Sequence, residues 1–118
     1  MANKFRVQKS VTAVPVVHAA QAIFSVANVP LNGVLWENKV KSSAATDGAA
    51  TMTLNVIDAD GDTVYTKAAI AGNTTTVTNL TADLRVPLNG LYTIQIVFSA
   101  NQTVTDQTVT VTLLIDRG

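Results

Sequence analysis

Three aspartates at alternating positions are the residues of this sequence best placed to do chemistry. Asp58, Asp60 and Asp62 lie in the segment DADGD, and carboxylate oxygens are the ligands that Ca²⁺ prefers in proteins. In a calcium loop of the D-x-[DN]-x-[DN]-G type glycine is the sixth residue, whereas Gly61 is only the fourth residue of this segment. The twelfth position, a glutamate in that loop, is Ala69. We therefore assign no metal ligands and interpret the segment as a hairpin turn whose carboxylates face water; cation binding by the three aspartates stays open as the alternative.

A lone histidine is the other candidate for chemistry. His18 is the only histidine, and a Ser-His-Asp system needs it beside a positioned serine and a carboxylate. No serine lies in a Gly-x-Ser-x-Gly context. The chain also lacks cysteine, which excludes disulfides and thiolate metal sites. The sequence predicts no catalytic residues, no cofactor and no enzymatic activity.

A predicted hairpin at residues 50–70 fixes the fold class. Met52, Leu54 and Val56 alternate with small polar residues, as in a strand with one buried face. The aspartate-rich segment 58–62 contains an Asp-Gly pair, which favours chain reversal between strands. Residues 63–67 then read as the returning strand. Everything else in the chain must pair with this hairpin or pack on it.

Other segments repeat the pattern of a strand with one apolar face. Two later segments, 92–98 and 109–115, alternate strongly, and a threonine-rich segment at 74–78 also favours a strand. The sequence therefore predicts an all-β fold, a single antiparallel β-sandwich of seven to nine strands. Residues 1–17 contain Pro15 and no acid, so we expect an extended N-terminal arm or edge strand there. Residues 18–118 form the predicted sandwich domain.

One pentapeptide, VPLNG, occurs twice. It occupies residues 29–33 and again 86–90, and each copy precedes a predicted strand. Proline pre-sets one φ angle and Asn-Gly tolerates positive φ, so we expect each copy to be a tight turn, with Pro30 ending whatever precedes it. The repeat indicates either a duplicated half-domain or the same turn used twice.

The composition indicates a surface made to contact other protein. Of the 118 residues 14% are charged, against about 25% in an ordinary soluble domain, and the net charge is zero. A neutral chain lacks the long-range field that attracts nucleic acid, and no apolar run approaches the ~18 residues of a membrane span. We therefore expect protein partners, including copies of the chain itself, and no direct nucleic-acid or membrane partner.

Two groups of residues are candidates for the contact surface. Lys4, Arg6 and Lys9 would let an extended N-terminal arm pair with acids of a neighbouring subunit, unless this segment is simply a solvated tail. The second group is an outward row of stiff threonine side chains in the last strand. These are Thr108, Thr110 and Thr112. Ordinary strand propensity explains such a row equally well.

Two motifs resemble known β-sandwich families. Gly90-Leu91-Tyr92-Thr93-Ile94 resembles the corner that begins the penultimate strand of immunoglobulin-like sandwiches. The hairpin from Val56 to Tyr65 is similar to the mid-domain hairpin of such modules. The order of hairpin, threonine-rich strand, VPLNGLY strand and final threonine-valine strand resembles small virion proteins of tailed bacteriophages. These resemblances cover residues 50–118 and imply an immunoglobulin-like sandwich.

The phage resemblance also implies a function. It implies a non-enzymatic structural protein that stabilises a capsid as a decoration or cement protein, forming homo-oligomers and contacting the major capsid protein or another virion protein. Such a protein would be made in the host cytoplasm and located on the capsid surface of the virion. Two alternatives remain open: an extracellular immunoglobulin-like adhesive or carbohydrate-binding module, and a structural component of a phage tail or head-tail connector.

Overall fold

Seven strands make up most of the described chain, and they all pair antiparallel. The computed structural model describes residues 6–12, 21–43, 46, 50–102 and 109–116, with the backbone alone for 6–12, 21 and 102. The strands are β1 (Arg6–Thr12), β2 (Gln21–Ser42), β3 (Met52–Ile57), β4 (Thr63–Ile70), β5 (Thr75–Asn79), β6 (Val86–Gln102) and β7 (Val109–Asp116). A short 3₁₀ turn, Ala82–Leu84, precedes β6. Within the described part of the chain, no helix has the length and hydropathy needed to span a membrane.

One sheet folds over on itself to make two layers. Its strand order is β1-β7-β2-β6-β3-β4, with β5 paired to the far end of β2. The long strands β2 and β6 run through both layers: residues 23–26 of β2 pair with β6, whereas residues 37–41 pair with β7 and β5. This arrangement confirms the predicted all-β antiparallel fold of the sandwich type.

The core lies between these layers and is built by strict alternation. β3 and β7 bury every second residue and leave the residues between them half-buried, in the alternation that the sequence predicted. Their buried side chains form a single cluster with those of β2 and β6. Within it the rings of Phe24 and Phe98 meet edge to face, with centroids 6.0 Å apart, a geometry that adds about 1 kcal/mol beyond area burial. Lost packing here would therefore destabilise both layers.

The two VPLNG copies are not turns, so that prediction is wrong. Each lies inside a long strand, and the copies pair antiparallel with each other around the Asn32–Asn89 pair. Pro30 therefore does not end β2, which continues to residue 42. Gly33 and Gly90 share a φ of 138°, a value that favours glycine, and both lie where the strands pass from one layer to the other. The repeated motif is therefore the segment in which the paired strands β2 and β6 cross from one layer to the other.

The fold has an internal twofold relationship centred on this motif. The strand order reads the same from either end if β1 corresponds to β4, β2 to β6 and β3 to β7. Corresponding positions lie 57 residues apart: the repeats begin at Val29 and Val86, and the strands β3 and β7 begin at Met52 and Val109. Of the two interpretations left open by the sequence, the structure therefore favours a duplicated half-domain.

The hairpin expected at residues 50–70 is present as β3, a turn and β4. Asp58 shapes the turn: its Oδ1 accepts the backbone N–H groups of Asp60 and Asp62, at 3.0 and 2.9 Å. The N-terminal segment contributes β1, which pairs with β7 at one edge of the sheet. Its residues 1–5 and 13–17 lie outside the described part of the chain.

Candidate functional site

The first layer presents an outer face without charge. Side chains that alternate with the core on β4, β3, β6 and the start of β2 point away from it and are half-buried or exposed. We call these the uncharged face: Ile23, Ser25, Thr53, Asn55, Ile57, Thr66, Thr93, Gln95 and Val97. Among them Ile23 is 50% exposed. Such a face of small polar and apolar groups can be buried without desolvating an ion.

A ladder of neutral hydrogen bonds crosses this face. The Thr66 hydroxyl donates to Asn55 Oδ1 at 2.7 Å, and Asn55 Nδ2 donates to Gln95 Oε1 at 3.0 Å. Ser25 lies opposite Gln95 on the next strand. Because the amides are held by their neighbours, burying this face costs little side-chain entropy. These hydrogen bonds also orient the side-chain amides of Asn55 and Gln95.

The second layer presents a different outer face, which carries charge. Thr110 and Thr112 of the predicted contact row lie on it, half-buried. Lys41 and Lys39 on β2 lie opposite them, so the threonines line a surface that also carries cations. We call this the charged face: Glu37, Lys39, Lys41, Thr75, Val77, Asn79, Thr110 and Thr112.

The other candidate residues are only partly visible. Arg6 and Lys9 belong to β1, opposite Asp116 and Leu113, and their backbone alone is described. Lys4, Thr108 and His18 lie outside the described residues. The structure therefore brings Thr110 and Thr112 together, and the contact role of all six residues stays a prediction.

The aspartate turn is organised by hydrogen bonds to its own backbone. Besides its side-chain bonds, Asp58 donates its N–H to the Asp62 carbonyl at 2.8 Å and accepts from the Gly61 N–H at 3.0 Å. Among the described residues no group of three or more His, Cys, Asp or Glu side chains is arranged to hold a metal ion. The geometry of Asp58 is that of a turn residue.

A groove opens beside β4, on the side away from β3. It encloses about 450 Å³ and is lined by residues 63–67 of β4 on one side. Thr78, Leu80, Leu84 and Val86 line the other side, from the end of β5 to the start of β6. Leu84 is 61% exposed. We call this the edge groove; its volume falls within the range of ordinary ligand clefts, roughly 300–1,000 Å³.

A buried polar contact joins the two layers next to the edge groove. Asn38 on β2 is 1% exposed, and its Nδ2 donates to the Tyr65 hydroxyl of β4 at 2.7 Å. The Oδ1 atom of Asn38 is buried and makes no hydrogen bond within the described chain. Burial raises the pKa of Tyr65 above its ordinary value of 10.0, and the hydrogen bond from Asn38 partly opposes that rise. The phenol is therefore held neutral as a hydrogen-bond acceptor between the layers.

A cation–π contact holds the connection between β5 and β6. The guanidinium carbon of Arg85 lies 5.3 Å from the ring centroid of Trp36, and Arg85 Nε donates to the Leu80 carbonyl at 3.2 Å. Next to it, the Thr81 hydroxyl donates to Asp83 at 2.6 Å and lowers the pKa of that exposed carboxyl. These contacts position the connection between β5 and β6.

Sequence reasoning did not find the uncharged face or the Asn38–Tyr65 contact. The alternation of β3 and β6 placed Asn55 and Gln95 on outward positions, which was the available signal. Their pairing depends on the register between strands 40 residues apart in the chain, which alternation alone does not supply.

Comparison with known proteins identifies a shared fold and does not identify a family. No protein-family model and no curated protein matches the chain. Among solved structures, the chain is similar to a chain of the cyanophage Pam1 capsid asymmetric unit: 22% identity, 98% of this chain and 86% of that chain, TM-score 0.54. At this identity the likeness shows a shared fold.

Two weaker likenesses come from different kinds of protein. The VP2 subviral particle of infectious bursal disease virus matches with 18% identity over 96% of this chain and a TM-score of 0.47. This chain spans about a third of the length of that viral chain, 33%. The CBM36-1 domain of a xylanase from the hindgut metagenome of Trinervitermes trinervoides matches with 16% identity, 95% of this chain, 96% of that chain and a TM-score of 0.46. Both TM-scores lie below 0.5, so neither likeness adds to the shared fold already described.

Proposed function

We propose that this chain is a non-enzymatic structural protein of a virus particle, and that its uncharged face is the surface that contacts the capsid. The observation that carries the proposal is this face itself: four adjacent strands whose outward side chains include no ion. Charged residues are depleted at the centre of protein interfaces because burying an ion requires a paired partner.

The size of the face suits a repeated contact. Four strands about 4.8 Å apart and five residues about 3.4 Å apart give roughly 19 Å by 17 Å, about 320 Å². A stable isolated interface buries about 800 Å² on each partner. One such contact is therefore weak, and many copies fixed on a lattice would hold through avidity. A capsid-decorating or cement protein meets this condition.

The fold comparison supports the same proposal. The cyanophage capsid chain has nearly the same length, since 98% of this chain aligns to 86% of it. In this reading the partners are the major capsid protein or another virion protein, and the location is the capsid surface. As a tail or head-tail connector component, the chain would use the same uncharged face to contact tail or connector proteins.

Rebinding to depleted particles tests the proposal. Particles of the virus that encodes the chain, prepared without it, are mixed with purified protein and separated by sedimentation. Wild-type protein is expected to co-sediment up to a fixed number of copies per particle. Ser25→Lys places one cation on the β2 strand of the uncharged face, where Ser25 is exposed and lies opposite Gln95. This variant should not co-sediment, because the ion would be buried unpaired.

A matched variant controls for the added charge. Thr75 is an exposed strand position on the charged face, and Thr75→Lys should bind particles as the wild type does. Equal binding by Ser25→Lys and wild type, or loss of binding only in Thr75→Lys, would overturn the assignment of the face. Wild-type protein that ignores the particles would overturn the structural role itself.

A carbohydrate-binding or adhesive module is the second candidate, because the edge groove has the volume of a ligand cleft and is lined by Tyr65 and threonines. A glycan array probed with purified protein distinguishes the two functions. Retention of a glycan that is lost in a Leu84→Lys variant would favour the module, whereas an array without binders would leave the virion role.

A further inference from the structure

Within the described part of the chain, the sheet ends at two strands that each have one partner, β1 and β4, and these two edges differ in charge. Among the described residues β4 pairs only with β3, and β1 pairs only with β7. An open edge presents unpaired backbone N–H and C=O groups, which readily pair with another strand. β1 carries Arg6 and Lys9 and no acid. Pairing of β1 with itself would therefore bring like charges together.

The edge groove runs along the backbone edge of β4. Five consecutive residues of β4, 63–67, line it. Neighbouring side chains of a strand point to opposite faces, so consecutive residues can share one cavity only along the edge of the strand. The natural occupant of such a groove is another extended chain, because it can satisfy the backbone groups of the edge.

The charges along β4 select an antiparallel second copy. Asp60 and Asp62 precede the strand, and Lys67 lies within it, four residues after Thr63. Two β4 strands that pair antiparallel around Tyr65 place Lys67 of each copy opposite Thr63 of the other, next to Asp62. Parallel pairing would place like charges together.

We propose that the chain forms a symmetric dimer in which β4 pairs antiparallel with β4 of a second copy, filling the edge groove of each. The dimer joins two four-stranded layers into one eight-stranded layer. Leu84, now 61% exposed, becomes covered by the second copy. Because the contact is isologous, it closes after two copies and does not extend into a fibre.

This pairing would also enlarge the uncharged face. The two faces become continuous across the joined edge, and their combined area of about 640 Å² approaches the ~800 Å² of a stable interface. The dimer does not depend on the proposed function, since it concerns the edge of β4 and is measured without any particle. A failed dimer and a failed particle contact would therefore be told apart.

Charge reversal at Asp62 and at Lys67 tests the pairing. Native mass spectrometry and sedimentation velocity of the full chain are expected to show a dimer that dissociates on dilution. Lys67→Glu and Asp62→Lys each turn two attractive contacts into repulsive ones, and each should weaken dimerisation roughly tenfold. Lys41→Glu, a reversal at an exposed site on the charged face, should leave dimerisation unchanged.

Mixing the two single variants provides the sharper result. In a mixed dimer the lysine introduced into one variant meets the glutamate introduced into the other, and the native Lys67 meets the native Asp62, so both contacts are attractive again. At a concentration where the wild type is mostly dimeric, the mixture should therefore form heterodimers as readily as the wild type dimerises, while each variant alone dimerises roughly tenfold more weakly. Circular dichroism checks that both variants are folded. A monomeric wild type, a dimer indifferent to both reversals, or a mixture without heterodimers would each overturn the proposal.

Discussion

Replacing Tyr65 by phenylalanine tests how the two layers are held together beside the edge groove. The phenol oxygen accepts a 2.7 Å hydrogen bond from Asn38, a residue that is 1% exposed. Without that oxygen the Asn38 amide loses its only hydrogen bond within the described chain, because its Oδ1 already lacks one. The ring and its packing remain in Tyr65→Phe. The substitution thus isolates one polar contact.

The expected cost follows from the burial of the amide. A net hydrogen bond contributes about 1 kcal/mol, and a donor left buried without a partner raises the loss to as much as ~3 kcal/mol. For a chain of this length, each kcal/mol lowers Tm by roughly 3–6 °C. We therefore expect Tyr65→Phe to lower the free energy of unfolding by about 1–3 kcal/mol and Tm by roughly 3–18 °C.

Urea denaturation followed by fluorescence of the single tryptophan, Trp36, measures this loss. The midpoint should fall while the slope against urea stays unchanged, since the surface exposed on unfolding is the same. A double-mutant cycle with Asn38→Ala isolates the pair, and the two losses should be non-additive by about 1 kcal/mol. A change below about 0.5 kcal/mol in Tyr65→Phe, or strict additivity with Asn38→Ala, would refute the reasoning.

Three further predictions concern the corner, the turn and alkaline pH. Gly33→Ala and Gly90→Ala should each lower the free energy of unfolding, measured by urea denaturation, by about 1–3 kcal/mol, because alanine is strained at φ 138°. The strain is in the backbone, since a Cβ at Gly90 meets no atom within 4 Å. Strongly unequal losses in the two variants would argue against the twofold relationship. Asp58→Ala should cost about 1–2 kcal/mol, since two turn amides lose their acceptor, and an unchanged Tm would contradict this. Because folding raises the pKa of Tyr65, the folded protein stabilises the neutral phenol. The contribution of this phenol to the free energy of unfolding is full below the unfolded pKa of 10.0 and is lost as the pH rises through the folded value. Denaturation midpoints above pH 10 should therefore fall more in the wild type than in Tyr65→Phe.

Much of the fold could be predicted because alternation and turn chemistry are local signals. The hairpin was predictable from Asp58, Gly61 and the flanking alternation, and the structure places it at the expected residues. The buried residues of β3 and β7 followed from the same period of two. These features depend on neighbours in the sequence, which a single sequence contains in full.

The VPLNG copies show why other features could not be predicted. Proline and Asn-Gly favour a turn locally, yet the two copies pair with each other across 57 positions and remain in strands. Tertiary pairing overrides local preference when each copy supplies a partner for the other. The uncharged face could not be predicted from the sequence for the same reason, since it depends on the strand register that brings Asn55 beside Gln95.

The most direct test of the central claim is a cryo-electron microscopy map of a virus particle with the chain bound. The uncharged face of β2, β6, β3 and β4 is expected to lie against the shell protein, with Ser25 and Gln95 within contact distance of it and the charged face turned to solvent. A map in which Ser25 and Gln95 face solvent while Lys39 and Lys41 meet the shell would contradict the account.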